Sequence, residues 1–99
     1  MSNQTDHANY VLAQITAIAK KYPAVTQVIL FGSRATGDAH ATSDFDICIK
    51  GPSIFEFYSI KTEVEDIATH FSFDILLYDN IDNSLLVQKI DSEGVIIYG

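Results

Sequence analysis

Gly32-Ser33-Arg34-Ala35-Thr36-Gly37, followed after a short loop by Ser43-Asp44-Phe45-Asp46, is the stretch on which the reading of this chain turns. The residues before it, Val25 to Phe31, are rich in β-branched and aromatic side chains and are closed by Gly32, which predicts a strand buried on both faces. A glycine directly after such a strand lets the backbone turn sharply and lets another group approach closely. Ser33 and the amides behind it then stand at the start of a turn or short helix, Ser33 to Gly37, where they suit a phosphate or simply cap the helix. On the far side of the loop Asp38 to Thr42, residues Asp44 to Lys50 read as a second strand, stopped by Gly51-Pro52. Asp44 and Asp46 are two apart in that strand, so their side chains share a face with Cα atoms about 7 Å apart. Two carboxylates so placed repel each other unless a cation lies between them or water solvates both. An oxygen-only donor set of this kind favours Mg²⁺ completed by substrate phosphates and water.

Working outward, Val11, Leu12, Ile15, Ile18, Ala19 and Tyr22 recur at three- and four-residue spacing, which predicts an amphipathic helix from about Asn9 to near Pro23 behind a frayed polar start. Ser53 with Glu56 forms a capping-box pattern ahead of the stripe Phe57, Ile60, Val64, Ile67, Ala68 and Phe71, expected to be the longest helix. Phe73 to Tyr78 reads as a third strand and Asp79-Asn80 as a turn. Asp82 or Asn83 opens a helix bearing Leu85, Leu86, Lys89 and Ile90, and Gly94 ends it before a last strand, Val95 to Tyr98. The order α-β-α-β-α-β-α-β carries no repeat or linker and implies an α/β (α+β) fold, one mixed sheet flanked by helices, with residues 1–99 as a single domain.

Asp74 is an acidic residue in the otherwise apolar run from Phe73 to Tyr78, where an unpaired buried charge is costly. If its strand lies beside that of Asp44 and Asp46, three carboxylates meet at one edge of the sheet. Two metal ions held there could clamp the attacking and leaving oxygens of an in-line displacement at phosphorus.

Gly32-Ser33, ten intervening residues, Asp44-x-Asp46 and a later-strand aspartate at Asp74 resemble the signature of the DNA polymerase beta nucleotidyltransferase superfamily. More closely, Gly32-Ser33-Arg34-Ala35-x-Gly37 with Ser43-Asp44-x-Asp46-Ile47 is similar to the minimal nucleotidyltransferases, often the antitoxin halves of HEPN/MNT toxin–antitoxin pairs. The similarity runs from the first strand to the closing Glu93-Gly94-Val95-Ile96-Ile97-Tyr98 segment. It implies a polymerase-beta-like fold, with ATP as substrate and two Mg²⁺ ions as cofactors. Gly32 and Ser33 then lie against the triphosphate, and Asp44 and Asp46 serve both metals. Asp74 binds the catalytic metal and helps to deprotonate an acceptor hydroxyl. Arg34 either offsets phosphate charge or serves a surface or structural ion pair. The acceptor implied is a tyrosine of a HEPN-type helical partner, although self-association could also complete the cleft.

Composition narrows the alternatives. A net charge of -7 argues against broad non-specific affinity for nucleic acid. The longest apolar run, Val28 to Phe31, is far short of a membrane span, and the start lacks a secretory pattern, so a soluble cytoplasmic protein is expected. The lone Cys48, between Ile47 and Ile49, reads as core. His7, His40 and His70 show no metal-ligand spacing, though His40 could touch nucleotide. Tyr10, Tyr22, Tyr58, Tyr78 and Tyr98 read as core-edge residues. Two further functions stay open: a non-catalytic module that neutralises a partner by covering it, and nucleotidyl transfer to a small-molecule hydroxyl.

Overall fold

The computed structural model describes residues 3–39 and 44–99. The expectations for His40, Ser43 and the end of the Asp38–Thr42 loop lie outside these residues. Chain order is α1 (Asn3–Lys20), β1 (Gln27–Phe31), α2 (Ser33–Thr36), β2 (Phe45–Lys50), α3 (Ile54–Glu65), β3 (Phe73–Leu77), a 3-10 turn (Tyr78–Asn80), α4 (Ser84–Glu93) and β4 (Val95–Tyr98). The strands form one mixed sheet in the order β3-β2-β1-β4. The β1–β2 and β1–β4 pairs are antiparallel, and β2–β3 is parallel, joined by α3 as its crossover.

Strand alternation divides the side chains between two unequal cores. On one face Val28, Leu30, Phe45, Ile47, Ile49, Ile75 and Leu77 pack under α1 and α3, which contribute Val11, Ile15, Ala19, Phe57, Ile60 and Val64. On the other, Ile29, Phe31 and Cys48 meet Ile90 of α4, with Leu76, Tyr78, Ile81 and Leu86 around them. Cys48 is fully buried, as its neighbours implied, and burial pushes its thiol up to about 12. Tyr22, Tyr78 and Tyr98 pack against the cores, whereas Tyr10 and Tyr58 are exposed.

Two helix expectations change. α1 begins at Asn3, well before Asn9. Its early turns are tied down by tertiary contacts that polar spacing does not announce: His7 Nε2 lies 2.8 Å from the Thr69 hydroxyl, and its ring stacks on Tyr10 and tilts against Phe71. α3 is shorter than its stripe, ending at Glu65 after 12 residues, so the 18-residue α1 is the longest helix. Ile67 and Phe71 still pack on the core, but through a bent segment that returns the chain to the start of β3; there the Phe45 amide donates to Ser72 O at 3.0 Å. A helix continued through Phe71 would carry the chain past that point. Glu63 on α3 accepts from both Lys21 and Tyr22, fastening the end of α1 to α3. The Lys21 ammonium, then the Tyr22 hydroxyl, hold the Glu63 carboxyl below its ordinary value.

The caps follow the sequence. Ser53 Oγ accepts from the Glu56 amide at 3.2 Å, and Gly37 closes α2 in the left-handed conformation at φ 85°. Asn83 Oδ1 accepts from the amides of Leu85 at 3.0 Å and Leu86 at 3.2 Å, which fixes where α4 starts. Asn83→Ala is expected to cost about 1 kcal/mol and Asn83→Asp a small fraction of that, read as shifts in the urea midpoint followed by circular dichroism.

Candidate active site

The parallel β2–β3 ladder sets Asp46 directly beside Asp74, and the antiparallel β1–β2 ladder sets Phe31 opposite Asp46. Neighbouring strands are about 4.8 Å apart, so in-register side chains on one face have no choice but to meet. Alternation puts Asp46 and Asp74 on the α4 face, with Cys48 and Leu76 of the smaller core. Asp44 precedes β2 by one residue and is exposed. Asp74 is exposed too, on an edge strand. The expected cost of a buried charge at Asp74 therefore does not arise: its apolar neighbours Ile75 and Leu77 face the other side, into the larger core.

Gly32 follows Phe31 and lies hard against Asp46. A Cβ placed on Gly32 would stand 2.1 Å from Asp46 Oδ2, far inside van der Waals contact. Its backbone, at φ 71° and ψ −156°, lies in a region essentially confined to glycine. The chain thus bends tightly over the carboxylate and enters α2, where the Ala35 and Thr36 amides bond the Gly32 carbonyl at 3.0 and 3.2 Å. Beyond this bend opens a cavity of about 410 Å³ lined by Phe31, Gly32, Ser33, Thr36, Asp38, Leu86, Lys89 and Glu93. The aspartate pair borders it through Gly32 and is not part of its wall.

Electrostatics ties the carboxylates together. Partial burial, then Asp74, then Asp44 raise the Asp46 carboxyl above its ordinary value. Asp46 thus holds its charge at a disadvantage that a cation would reverse. Among the described residues, no three His, Cys, Asp or Glu side chains are gathered into a metal cage. Magnesium needs none, since it characteristically takes one or two carboxylates and completes its shell with phosphate and water. The donor chemistry and the like-charge crowding at Asp46 fit such an ion, with Asp44 and Asp74 as the other carboxylates in electrostatic reach.

Of the residues singled out from sequence, Gly32 and Ser33 reach the cavity wall and Asp44, Asp46 and Asp74 form the adjoining acidic cluster. Arg34 is turned elsewhere. Its guanidinium sits 4.2 Å from the Phe45 ring centroid and 4.5 Å from that of Phe71, and burial lowers its pKa while Asp44 opposes the change. This position anchors α2 to the larger core and faces Asp44. The cavity residues that sequence reading left unassigned are Thr36, Asp38, Leu86, Lys89 and Glu93. Leu86, Lys89 and Glu93 share a stripe of α4 at three- and four-residue spacing, a signal that names a face but not what the face meets.

Two outcomes follow. Gly32→Ala should cost roughly 1–3 kcal/mol from its torsion alone, plus the clash with Asp46; adding Asp46→Ala should recover only the clash, as a double-mutant urea cycle will show. Because the folded-state pKa of Asp46 is raised, the folded protein binds its proton more tightly than the unfolded chain. This group therefore subtracts stability as pH rises through the folded value. Asp46→Asn should accordingly raise the melting temperature at pH 7 in chelator, with the gain fading as acid protonates the wild-type carboxyl.

No protein of curated function matches this chain significantly in sequence. Solved structures share its fold. A chain of a toxin–antitoxin complex with AMP-PNP superposes with a TM-score of 0.72 at 20% identity, covering 89% of this chain and 73% of that one. A chain of the complex of tri-AMPylated Shewanella oneidensis HEPN toxin with MNT antitoxin gives 0.67 at 16% identity, covering 92% and 71%. A protein from Sulfolobus solfataricus described as a candidate nucleotidyltransferase gives 0.59 at 20% identity, covering 94% and 80%. The family model described as Polymerase beta, Nucleotidyltransferase matches residues 13–99, from within α1 through β4. A match over that span, on a mixed sheet with Gly32-Ser33 bent over Asp46 and Asp74 beside it, means that the chain belongs to the polymerase beta nucleotidyltransferase family.

Proposed function

We propose that this protein is a magnesium-dependent nucleotidyltransferase that moves AMP from ATP onto a hydroxyl, and that residues 1–99 work as one minimal catalytic domain. The observation that carries this reading is the in-register pair Asp46–Asp74 with Gly32 bent over Asp46. Asp46, with Asp74 and Asp44 in electrostatic reach, lies against Gly32, which with Ser33 lines the cavity, an arrangement that suits in-line attack at phosphorus: charge on one side, phosphate on the other. Asp44 and Asp46 would hold the two ions, with Asp74 on the catalytic one. Bound there, Mg²⁺ would supply neutralisation of phosphate charge and acidification of the acceptor hydroxyl. Asp74, exposed at the sheet edge where an acceptor can approach, takes the hydroxyl proton. The acceptor oxygen bonds to the α-phosphorus, the bond to the β-phosphate oxygen breaks, and pyrophosphate leaves. Ser33 orients the phosphates, while Arg34 reaches them, if at all, only by leaving its stacked position on Phe45 and Phe71.

The acceptor this reading favours is a tyrosine of a HEPN-type helical partner, making the protein an antitoxin of the cytoplasm. The similar folds include a complex with a tri-AMPylated HEPN toxin and one with AMP-PNP, which supports both the partner and the nucleotide. No helix among the described residues is long and apolar enough to cross a membrane. A second reading, neutralisation by covering the partner, draws on exposed apolar side chains: Phe55 at 82%, Leu85 at 73% and Tyr58 at 59% of full exposure.

Calorimetry of ATP with Mg²⁺ should give binding that needs the metal and vanishes in the Asp44→Ala, Asp46→Ala double mutant; metal-independent binding unchanged in that mutant would sink the site. Mixed with ATP, Mg²⁺ and a co-encoded helical protein, the wild type should add mass to the partner in steps of one AMP. Asp46→Ala should stop that transfer while leaving complex formation intact, whereas neutralisation by covering predicts full neutralisation by the mutant.

A further inference from the structure

The cavity beside Gly32 and Ser33 poses an electrostatic problem for a polyanion. Asp38 and Glu93 line it, and Asp46 lies against Gly32 of its wall with Asp74 and Asp44 in electrostatic reach of Asp46, in a chain of net charge -7. Among the described residues, Lys89 is the single cation on its wall. The other cations have placements of their own: Lys21 pairs with Glu63 and Lys61 with Glu65, Arg34 lies over Phe45 and Phe71, Lys50 lies 4.1 Å from the Tyr78 ring centroid, and Lys20 ends α1. Lys89 makes no ion pair with any described residue, including Glu93 one turn on, where the order Lys then Glu is the weaker of the two helical arrangements.

The position of the cavity assigns which phosphates it would hold. Attack must occur beside Asp46 and Asp74, so the α-phosphate belongs at the Gly32 bend. The cavity wall takes in Gly32 and Ser33 at that bend together with Leu86, Lys89 and Glu93 of α4, and Asp44, Asp46 and Asp74 are not among its lining residues. We propose that Lys89 grips the β- and γ-phosphates there, holding the pyrophosphate leaving group across the cavity from Ser33. This rests on the nucleotidyltransferase reading and adds to it a binding residue from α4. A lysine ammonium suits the task as a compact point charge on a flexible stem, able to follow the phosphates as the bond to them breaks. Asn83 sets the start of α4, and Ile90, buried next to Lys89 in sequence, fixes the helix against the sheet, so the base of the Lys89 stem is held in place.

The test is calorimetric titration of MgATP into wild type, Lys89→Gln and Lys89→Arg, with circular dichroism confirming the fold of this exposed-site series. Competition by magnesium pyrophosphate is measured in parallel. Lys89→Gln should weaken MgATP binding about tenfold, the ordinary worth of one charge-assisted contact. It should weaken pyrophosphate competition by a similar factor, and Lys89→Arg should restore most of both. Unchanged ATP affinity in Lys89→Gln, equal losses in Gln and Arg variants, or pyrophosphate competition that does not follow ATP would each overturn the assignment. Wild type that fails to bind MgATP overturns the nucleotidyltransferase reading with it, whereas wild-type binding indifferent to position 89 sinks only the role of Lys89.

Discussion

Side-by-side carboxylates on a parallel strand pair are the constraint around which this molecule is arranged. The β2–β3 ladder holds Asp46 and Asp74 in register, and a shift by one residue would turn one of them into the opposite core. The apolar residues enforce that register: Ile47, Ile49, Ile75 and Leu77 all need the α1–α3 face, so hydrophobic burial keeps together two groups that repel. The repulsion appears at Asp46, whose carboxyl is raised by burial, by Asp74 and by Asp44. Gly32 is a second consequence. With Asp46 Oδ2 where a Cβ would stand, no other residue closes β1 without moving the carboxylate.

Much of this was legible in the chain, for identifiable reasons. Asp44-x-Asp46 reads as one face because strand periodicity is local, and Gly32 reads as a sharp turn because only glycine gives one there. The caps at Ser53 and Asn83 were equally local. What escaped the sequence was set by partners distant along it. The early turns of α1 rest on Thr69 and Phe71, and the stop of α3 at Glu65 answers the need to return to β3. Asp74 stands out in the sequence as a charge in an apolar run, but the structure removes that reason: it lies exposed beside Asp46, and its neighbours Ile75 and Leu77 face the other side.

Arg34 shows why residue type alone is a weak guide to role. A guanidinium next to the Gly32-Ser33 turn invites assignment to phosphate, yet its observed place is over two aromatic faces, where burial already lowers its pKa. Lifting it off the rings forfeits the cation–π contact and uncovers Phe45, which is otherwise fully buried. The geometry gives Arg34 the work of fastening α2 to the sheet, and with it Ser33 on the cavity wall.

The two sheet faces are unequally covered, and that asymmetry bears on where chemistry can occur. α1 and α3 bury 14 residues of one cluster, while only Ile29, Phe31, Cys48 and Ile90 are buried in the other among the described residues. Stability therefore comes mainly from the first face, where a polar cavity would remove apolar contacts the fold needs. The second face carries one helix, and its thin cover leaves room at the strand ends for the acidic cluster and the cavity between α2 and α4. A site on that face is open on the side away from the sheet. The reaction proposed for this face needs water excluded and an acceptor oriented, which calls for more than the sheet and α4 by themselves. The exposed Tyr58 and Leu85, beside an apolar groove of about 430 Å³ lined by Phe57, Leu77, Ile81 and Leu86, lie at the other end of α4 from Glu93. Since Leu86 lines both this groove and the cavity, a protein bound in the groove would press on the same helix that carries Lys89.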